Sequence, residues 1–255
     1  MSTLSPADLK EFLDEKVIEY NTPKFIEADP IQIPHRYTKK EDIEIMSLLL
    51  STIAWGNRKS IITNGERLIQ LMGNNPHEFV LNYETPREGY LYFVHRTFNS
   101  LDLDFFFRSL HRIYTNGTLE ELFSEHPEIA GVKGRIVNFR NAFLDIDHEK
   151  RSEKHLSNPL KGASAKRLNM FLRWMVRKDT GGVDFGLWDT VPMSELYLPL
   201  DVHTGNIGRK LGMLSRTQND WAALEEIQAA LCVLDPNDPV KYDFALFGLG
   251  AYEAF

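Results

Sequence analysis

The segment Glu41–Trp55, EDIEIMSLLLSTIAW, is a strongly apolar run that stops at Gly56. Thr38 and Glu41 stand three residues apart ahead of it. They read as a capping box, because a hydroxyl and a carboxylate at that spacing satisfy free N–H groups at a helix start. A helix this apolar should be central to the fold. The rest of the chain is written in the same period. Residues 1–20 carry Leu9, Phe12, Leu13, Val17 and Ile18 on one helical face, opened by Ser5 and Pro6 at cap and first-turn positions. A second helix is expected from about Ser60 to Met72, ended by Gly73-Asn74-Asn75-Pro76. Further helices are expected at 76–83, 86–97, 101–115, 118–125, Ile136–Phe143, Ser164–Arg177, Val202–Leu214, Asp220–Leu234 and from Pro239 onward. No period-2 run of strand length occurs. The chain therefore reads as all-α, with two helical lobes over residues 41–255 and a helical arm over residues 1–40.

Composition narrows the function classes. With 43% apolar residues the chain can bury a sizeable core, and its formal charge of −7 excludes a generally basic nucleic-acid coat. The one cysteine, Cys232, leaves no intrachain disulfide framework, Cys-rich zinc site or iron-sulfur cluster. The polar, acidic start MSTLSPADLKEFLDEK does not read as an export signal, and no run of about 18 apolar residues follows. The expectation is a soluble, cytoplasmic protein.

Charge is unevenly spread. Between Lys133 and Lys178 stand twelve basic residues against four acids. Such asymmetry fits a local anion-binding face on an acidic body, though on charge alone a lysine-rich solvated surface is the commoner cause. Within it, Asn158-Pro-Leu-Lys161-Gly162-Ala-Ser164-Ala-Lys166-Arg167 sets a tight turn directly before an amphipathic helix. A turn at a helix N-terminus presents unpaired N–H groups and a positive dipole to a phosphate, here flanked by Lys161 and Arg167. That helix buries Leu168, Phe171, Leu172 and Met175, and Lys166 lies about 160° round from Leu168. By itself Lys166 reads as a solvated lysine. Downstream, Leu198-Pro-Leu-Asp201-Val-His203 places Asp201 where a helix begins. It reads as a helix cap, and a carboxylate so held stays ionised and fixed in direction. His203 reads equally as a packed histidine and as a ligand contact. HExxH, Walker, GxGxxG and GxSxG motifs are absent.

The run GASAKRLNMFL followed by PLDVHTGNIGRKLGM resembles the helix-hairpin-helix DNA glycosylases, whose hairpin GxGxK and PVDxH segment supply a lysine and an aspartate. The Asp-Val-His form resembles the 8-oxoguanine branch. Upstream, LLSTIAWGNR resembles the helix and turn from which that superfamily pushes polar side chains into the DNA stack, and KYDFALFGLG resembles its closing helix. The likeness covers roughly residues 40–255. The words KRLNMFLRWMVR and DFGLW also resemble an uncharacterised bacterial family. Two departures stand out: Ser164 replaces the hairpin's second glycine, and 35 residues separate Lys166 from Asp201. The archaeal 8-oxoguanine branch is similar in its longer connection.

The resemblance implies a base-excision glycosylase, probing double-stranded DNA as a monomer with no metal or cofactor. A damaged nucleotide would be turned out of the duplex. Lys166 would attack C1′ as a neutral amine, Asp201 would stabilise the sugar cation, and the Schiff base would allow β-elimination. Asn57 or Arg58 would fill the vacated stack, while Lys161, Gly162, Ser164 and Arg167 grip phosphates. Trp55, Trp188, His203 and Phe247 are the candidates for the base pocket, and each aromatic also reads as core. Two other readings stay open: a catalytically silent nucleic-acid-binding module of the same fold, and a small-molecule enzyme or protein-interaction domain.

Overall fold

The computed structural model of the chain describes residues 5–84, 92–253 and 255. Its helices are α1 (Pro6–Tyr20), α2 (Pro23–Ala28), α3 (Lys40–Ile53), α4 (Arg58–Met72), α5 (Pro76–Leu81), α6 (Ser100–Asn116), α7 (Gly131–Phe143), α8 (Lys166–Val176), α9 (Val202–Lys210), α10 (Trp221–Leu234) and α11 (Tyr242–Ala251). The protein is thus mostly helical. No helix among the described residues is long and apolar enough to cross a membrane. The chain divides into two compact units, one made of Met1–Glu27 with Asn158–Phe255, the other of Ala28–Ser157.

In the first unit the Ser5 hydroxyl accepts the Asp8 amide at 3.2 Å, with Pro6 in the first turn, so α1 starts where the sequence places it. The helix lies along α11, where Gly248 leaves room for the Tyr20 ring. Leu13 is fully buried, whereas Ile18, expected on the same face, is 77% exposed. Five residues at 100° each carry Ile18 about 140° round from Leu13, off the stripe that Tyr20 completes. Residues 5–27 therefore belong to the unit formed by the C-terminal segment. On the other side of α11, Gly250 stands against His203 and Ile207 of α9. Helix α8 fills the core with Phe171, Leu172, Trp174 and Met175. At the end of α8, Trp174 and Met175 carbonyls accept the amides of Phe185 and Trp188, which ties the DFGLW segment to the helix.

The second unit is built on α3, buried continuously from Ile43 to Ile53. The capping box read at Thr38 and Glu41 does not form: the helix begins at Lys40 and no side chain caps it. Asp42 instead accepts the His77 amide at 2.8 Å, at the start of α5, and Lys40 pairs with Glu120 at 2.6 Å. The first-turn side chains of α3 are engaged by other segments of the unit instead. Helix α4 is capped by Asn57 and ends in left-handed Gly73 (φ 64°), as its sequence dictates. Of the helix expected at 86–97, residues 86–91 lie outside the described residues. The remainder is a two-stranded hairpin, β1 (Val94–His95) paired antiparallel with β2 (Phe98–Asn99). Two-residue strands are too short to show a period. Residues 118–125 shrink to one 3₁₀ turn, Glu120–Phe123. The core is aromatic: Phe105, Phe106, Phe139 and Phe143 meet edge-on or tilted at centroid distances of 4.9–5.7 Å.

Buried polar groups in this unit are held. Asp102 is wholly buried, and completes a capping box by accepting the Asn99 amide at 2.9 Å. It also accepts Ser152 Oγ at 2.6 Å, and stands 2.9 Å from Arg151 and 3.2 Å from His155 Nε2.

Candidate active site

The turn read ahead of Lys166 is present and rigidly tied. Asn158 Oδ1 accepts the Leu160 amide at 2.9 Å and starts a single 3₁₀ turn, Pro159–Lys161. Gly162 follows with φ 81°, a value that glycine adopts without strain. Its carbonyl accepts the Trp221 amide at 2.8 Å, and Ala163 bridges to Asp220 at the cap of α10. The second left-handed position falls on Ala165 (φ 49°), so Ser164 needs no glycine. Asn169, one turn into α8, donates to the Ser164 carbonyl at 2.9 Å. The chain ahead of Gly162 is 3₁₀, and an α-helix stands on the downstream side alone. Lys161 and Gly162 are exposed, while Ser164 and Arg167 are half-buried. Burial brings the Arg167 guanidinium down to about 10, which leaves it cationic at neutral pH.

Lys166 is the first residue of α8, and Asp201 is the N-cap of α9. Each is fixed by a different device. Asp201 Oδ1 accepts the Thr204 amide at 3.0 Å, while the Asp201 amide donates to Thr204 Oγ1 at 2.8 Å. Asn219 donates to the Asp201 carbonyl at 2.8 Å. The second carboxylate oxygen, Oδ2, lies 3.4 Å from Lys166 Nζ. The side chains keep 32% and 19% of their surface exposed. The structure thus joins the lysine and the aspartate picked out of two distant segments.

The other named residues separate into groups. His203 is exposed on α9, with Nδ1 3.2 Å from the Gly250 carbonyl and its ring 5.9 Å from that of Phe247. Phe247 is half-buried among Phe25, Tyr252 and His203. Trp188 is 1% exposed and packs edge-on against Phe171, so it is core and offers no face to a base. In the Ala28–Ser157 unit, half-buried Trp55 lies edge-on to His95 at 5.1 Å and stacked with His155 at 6.0 Å. Asn57 is exposed but its Oδ1 is spent on the Ser60 amide at 3.2 Å, and Arg58 opens α4.

The basic run is divided between the two units, and several of its arginines are paired or buried within their own unit. Arg135, Arg140 and Arg151 pair with Glu125, Glu153 and Asp102, and Arg173 and Arg177 are only 4% exposed. Their partners are carboxylates the sequence reading passed over. Arg173 binds Asp184 and Asp243, while Arg177 binds Asp179, Asp184 and Asp238. Charges set inside apolar words, as in Leu172-Arg173-Trp174 and Tyr242-Asp243-Phe244, were the available signal.

No curated protein and no solved structure matches the chain. One family model does, over residues 29–252, a span that includes α3, Lys166, Asp201 and all but the end of the closing segment. The chain therefore belongs to the family described as a protein of unknown function, DUF2400.

Proposed function

We propose that the protein is a base-excision DNA glycosylase that excises a damaged base, an oxidised purine by its likeness to the 8-oxoguanine branch, through a Lys166 Schiff base. The observation that carries this reading is the 3.4 Å approach of Lys166 Nζ to Asp201 Oδ2 in a part-exposed position. An amine and a carboxylate so close can address one sugar carbon from the same side. Because Oδ1 is occupied by the helix cap, Oδ2 is the oxygen left to face developing positive charge on the sugar. Once Lys166 has lost a proton, its lone pair forms the bond to C1′ and the glycosidic electrons leave with the base. Ring opening gives an imine, and loss of a C2′ proton expels the 3′ phosphate. The exposed turn at Lys161 and Gly162, next to the start of α8, supports a phosphate contact beside this site.

Borohydride trapping tests the reading. With duplex DNA holding 8-oxoguanine or an abasic site, the unaltered protein should give a covalent adduct that Lys166→Ala does not. Salt-sensitive binding with no adduct on a panel of lesions would leave a nucleic-acid-binding module without chemistry.

A further inference from the structure

Three consecutive residues, Asn219, Asp220 and Trp221, form a strap between the segments that carry Lys166 and Asp201. On one side the Trp221 amide donates to the Gly162 carbonyl at 2.8 Å and Asp220 bridges to Ala163, four and three residues ahead of Lys166. On the other side Asn219 Nδ2 donates to the Asp201 carbonyl at 2.8 Å. That carbonyl also accepts the Gly205 amide at 2.9 Å, the first backbone bond of α9. With Lys166 Nζ 3.4 Å from Asp201 Oδ2, these contacts close a ring. It runs from lysine to aspartate across the ion pair, and from aspartate back to the turn ahead of the lysine through the strap.

The Asn219 amide is fixed both in orientation and in place. Its Oδ1 accepts from Arg209 Nη2 at 2.6 Å, and a guanidinium only donates, so the amide nitrogen is the end that meets the Asp201 carbonyl. Arg209 is anchored in turn by the carbonyls of Arg216 and Thr217 at 2.8 and 3.0 Å. The amide lies on Gly205, where a Cβ would stand 2.7 Å from Oδ1 and 2.9 Å from Nδ2, so only glycine leaves room for it. Asp220 caps α10 by accepting the Ala223 amide at 3.0 Å, which anchors the middle of the strap to a helix.

The ring matters at one step. An ion pair holds Lys166 and Asp201 together only while the amine carries its proton, because a neutral amine loses the Coulomb attraction. Nucleophilic attack needs the neutral amine. At that moment the place of the carboxylate depends on the Thr204 cap and on the rest of the ring. We propose that Asn219 is a positioning residue: through the Asp201 carbonyl it keeps the carboxylate facing Lys166 while the amine is uncharged. This rests on the reading of Lys166 as the attacking amine, and it adds what holds the partner of that amine in place.

Single-turnover borohydride trapping on abasic duplex DNA tests this, with amide hydrogen exchange read on the same proteins. Asn219→Asp keeps the shape and the Arg209 contact but turns a carboxylate oxygen onto the Asp201 carbonyl. At saturating DNA it should trap about 100-fold more slowly, as a displacement of about 1 Å would cause, while the half-saturating DNA concentration changes less than about threefold. Gly205→Ala, which displaces the amide with Asn219 still present, should also slow trapping, and should have no further effect in an Asn219→Ala background. In an Asp201→Asn background, Asn219→Asp should slow trapping by no more than about threefold, because the group it positions is gone. The same factor in both backgrounds would make the role structural and overturn the proposal. In Asn219→Asp the amides of Thr204 and Gly205 should exchange at least about tenfold faster, and unchanged exchange overturns the proposal whether or not an adduct forms. The two readings fail separately: no adduct from the unaltered protein removes the glycosylase and this role with it, whereas an adduct formed as fast by Asn219→Asp as by the unaltered protein removes the role alone.

Discussion

Asp201 serves two partners with two different oxygens: Oδ1 holds the Thr204 amide at 3.0 Å, and Oδ2 faces Lys166 Nζ at 3.4 Å. The cap and the ion pair can therefore be separated by substitution. Asn caps a helix about as well as Asp, so Asp201→Asn should keep α9 folded, with stability changed by less than about 1 kcal/mol. Losing the charge that faces the sugar should slow adduct formation by at least about 100-fold. Asp201→Ala should lose both, including about 1 kcal/mol of cap stability. Paired denaturation and trapping measurements check this, and equal trapping rates for Asp201→Asn and the unaltered protein would remove Asp201 from the chemistry.

The Lys166–Asp201 site was legible because each half is a local pattern. A glycine turn before a helix and an aspartate cap are both written in short words, and those words resemble segments of one superfamily. The network beneath was not legible. Arg173 and Arg177 count toward net charge in the sequence, yet in the fold they are 4% exposed and neutralised by residues up to 70 positions away. The same limit applies to α3, whose first-turn Asp42 and Lys40 engage His77 and Glu120, partners far off in the chain. Helix periods survive folding because burial enforces them, whereas partners distant in sequence leave no periodic trace.

Gly248 gives a packing test. A Cβ at this position would overlap the Tyr20 ring, far closer than van der Waals contact allows, and the ring is a rigid neighbour. Gly248→Ala should therefore cost about 1–3 kcal/mol, read as a lower urea midpoint. In a Tyr20→Ala background the same substitution should cost little or nothing. A full penalty in both backgrounds would mean that α1 does not dock through this contact.

His95 should make the second unit sensitive to mild acid. Its Nε2–H donates to the Trp55 carbonyl at 3.1 Å, which leaves Nδ1 to accept from Asn64 Nδ2 at 3.0 Å. Both nitrogens are thus used by the neutral ring, and burial lowers its pKa, with Arg96 contributing. A lowered folded value means that the unfolded chain protonates first as pH falls below about 6.5, so stability declines from there downward. His95→Gln should flatten the dependence of unfolding free energy on pH between about 7 and 5. An unchanged slope would place the sensitivity elsewhere.

Asp102 should dominate at lower pH. Burial alone would raise its pKa, but His155, the Ser152 hydroxyl and the Asn99 amide together hold it well below the ordinary value of 3.8. The sign follows from the depression: the stabilisation is complete above 3.8 and is lost as pH falls through the folded value, because folding then holds off a proton that the unfolded chain binds. Asp102→Asn removes the charge while keeping the shape, leaving His155 and Arg151 without their anion, and should cost about 3–5 kcal/mol at pH 7. Most of that loss should vanish as the pH falls well below 3.8, where the unfolded chain already binds the proton that the folded carboxylate holds off. Urea unfolding at successive pH values reads both effects. Parallel curves for the two proteins would show that the carboxylate contributes no charge-dependent stability and that the 2.6 Å Ser152 contact acts through shape alone.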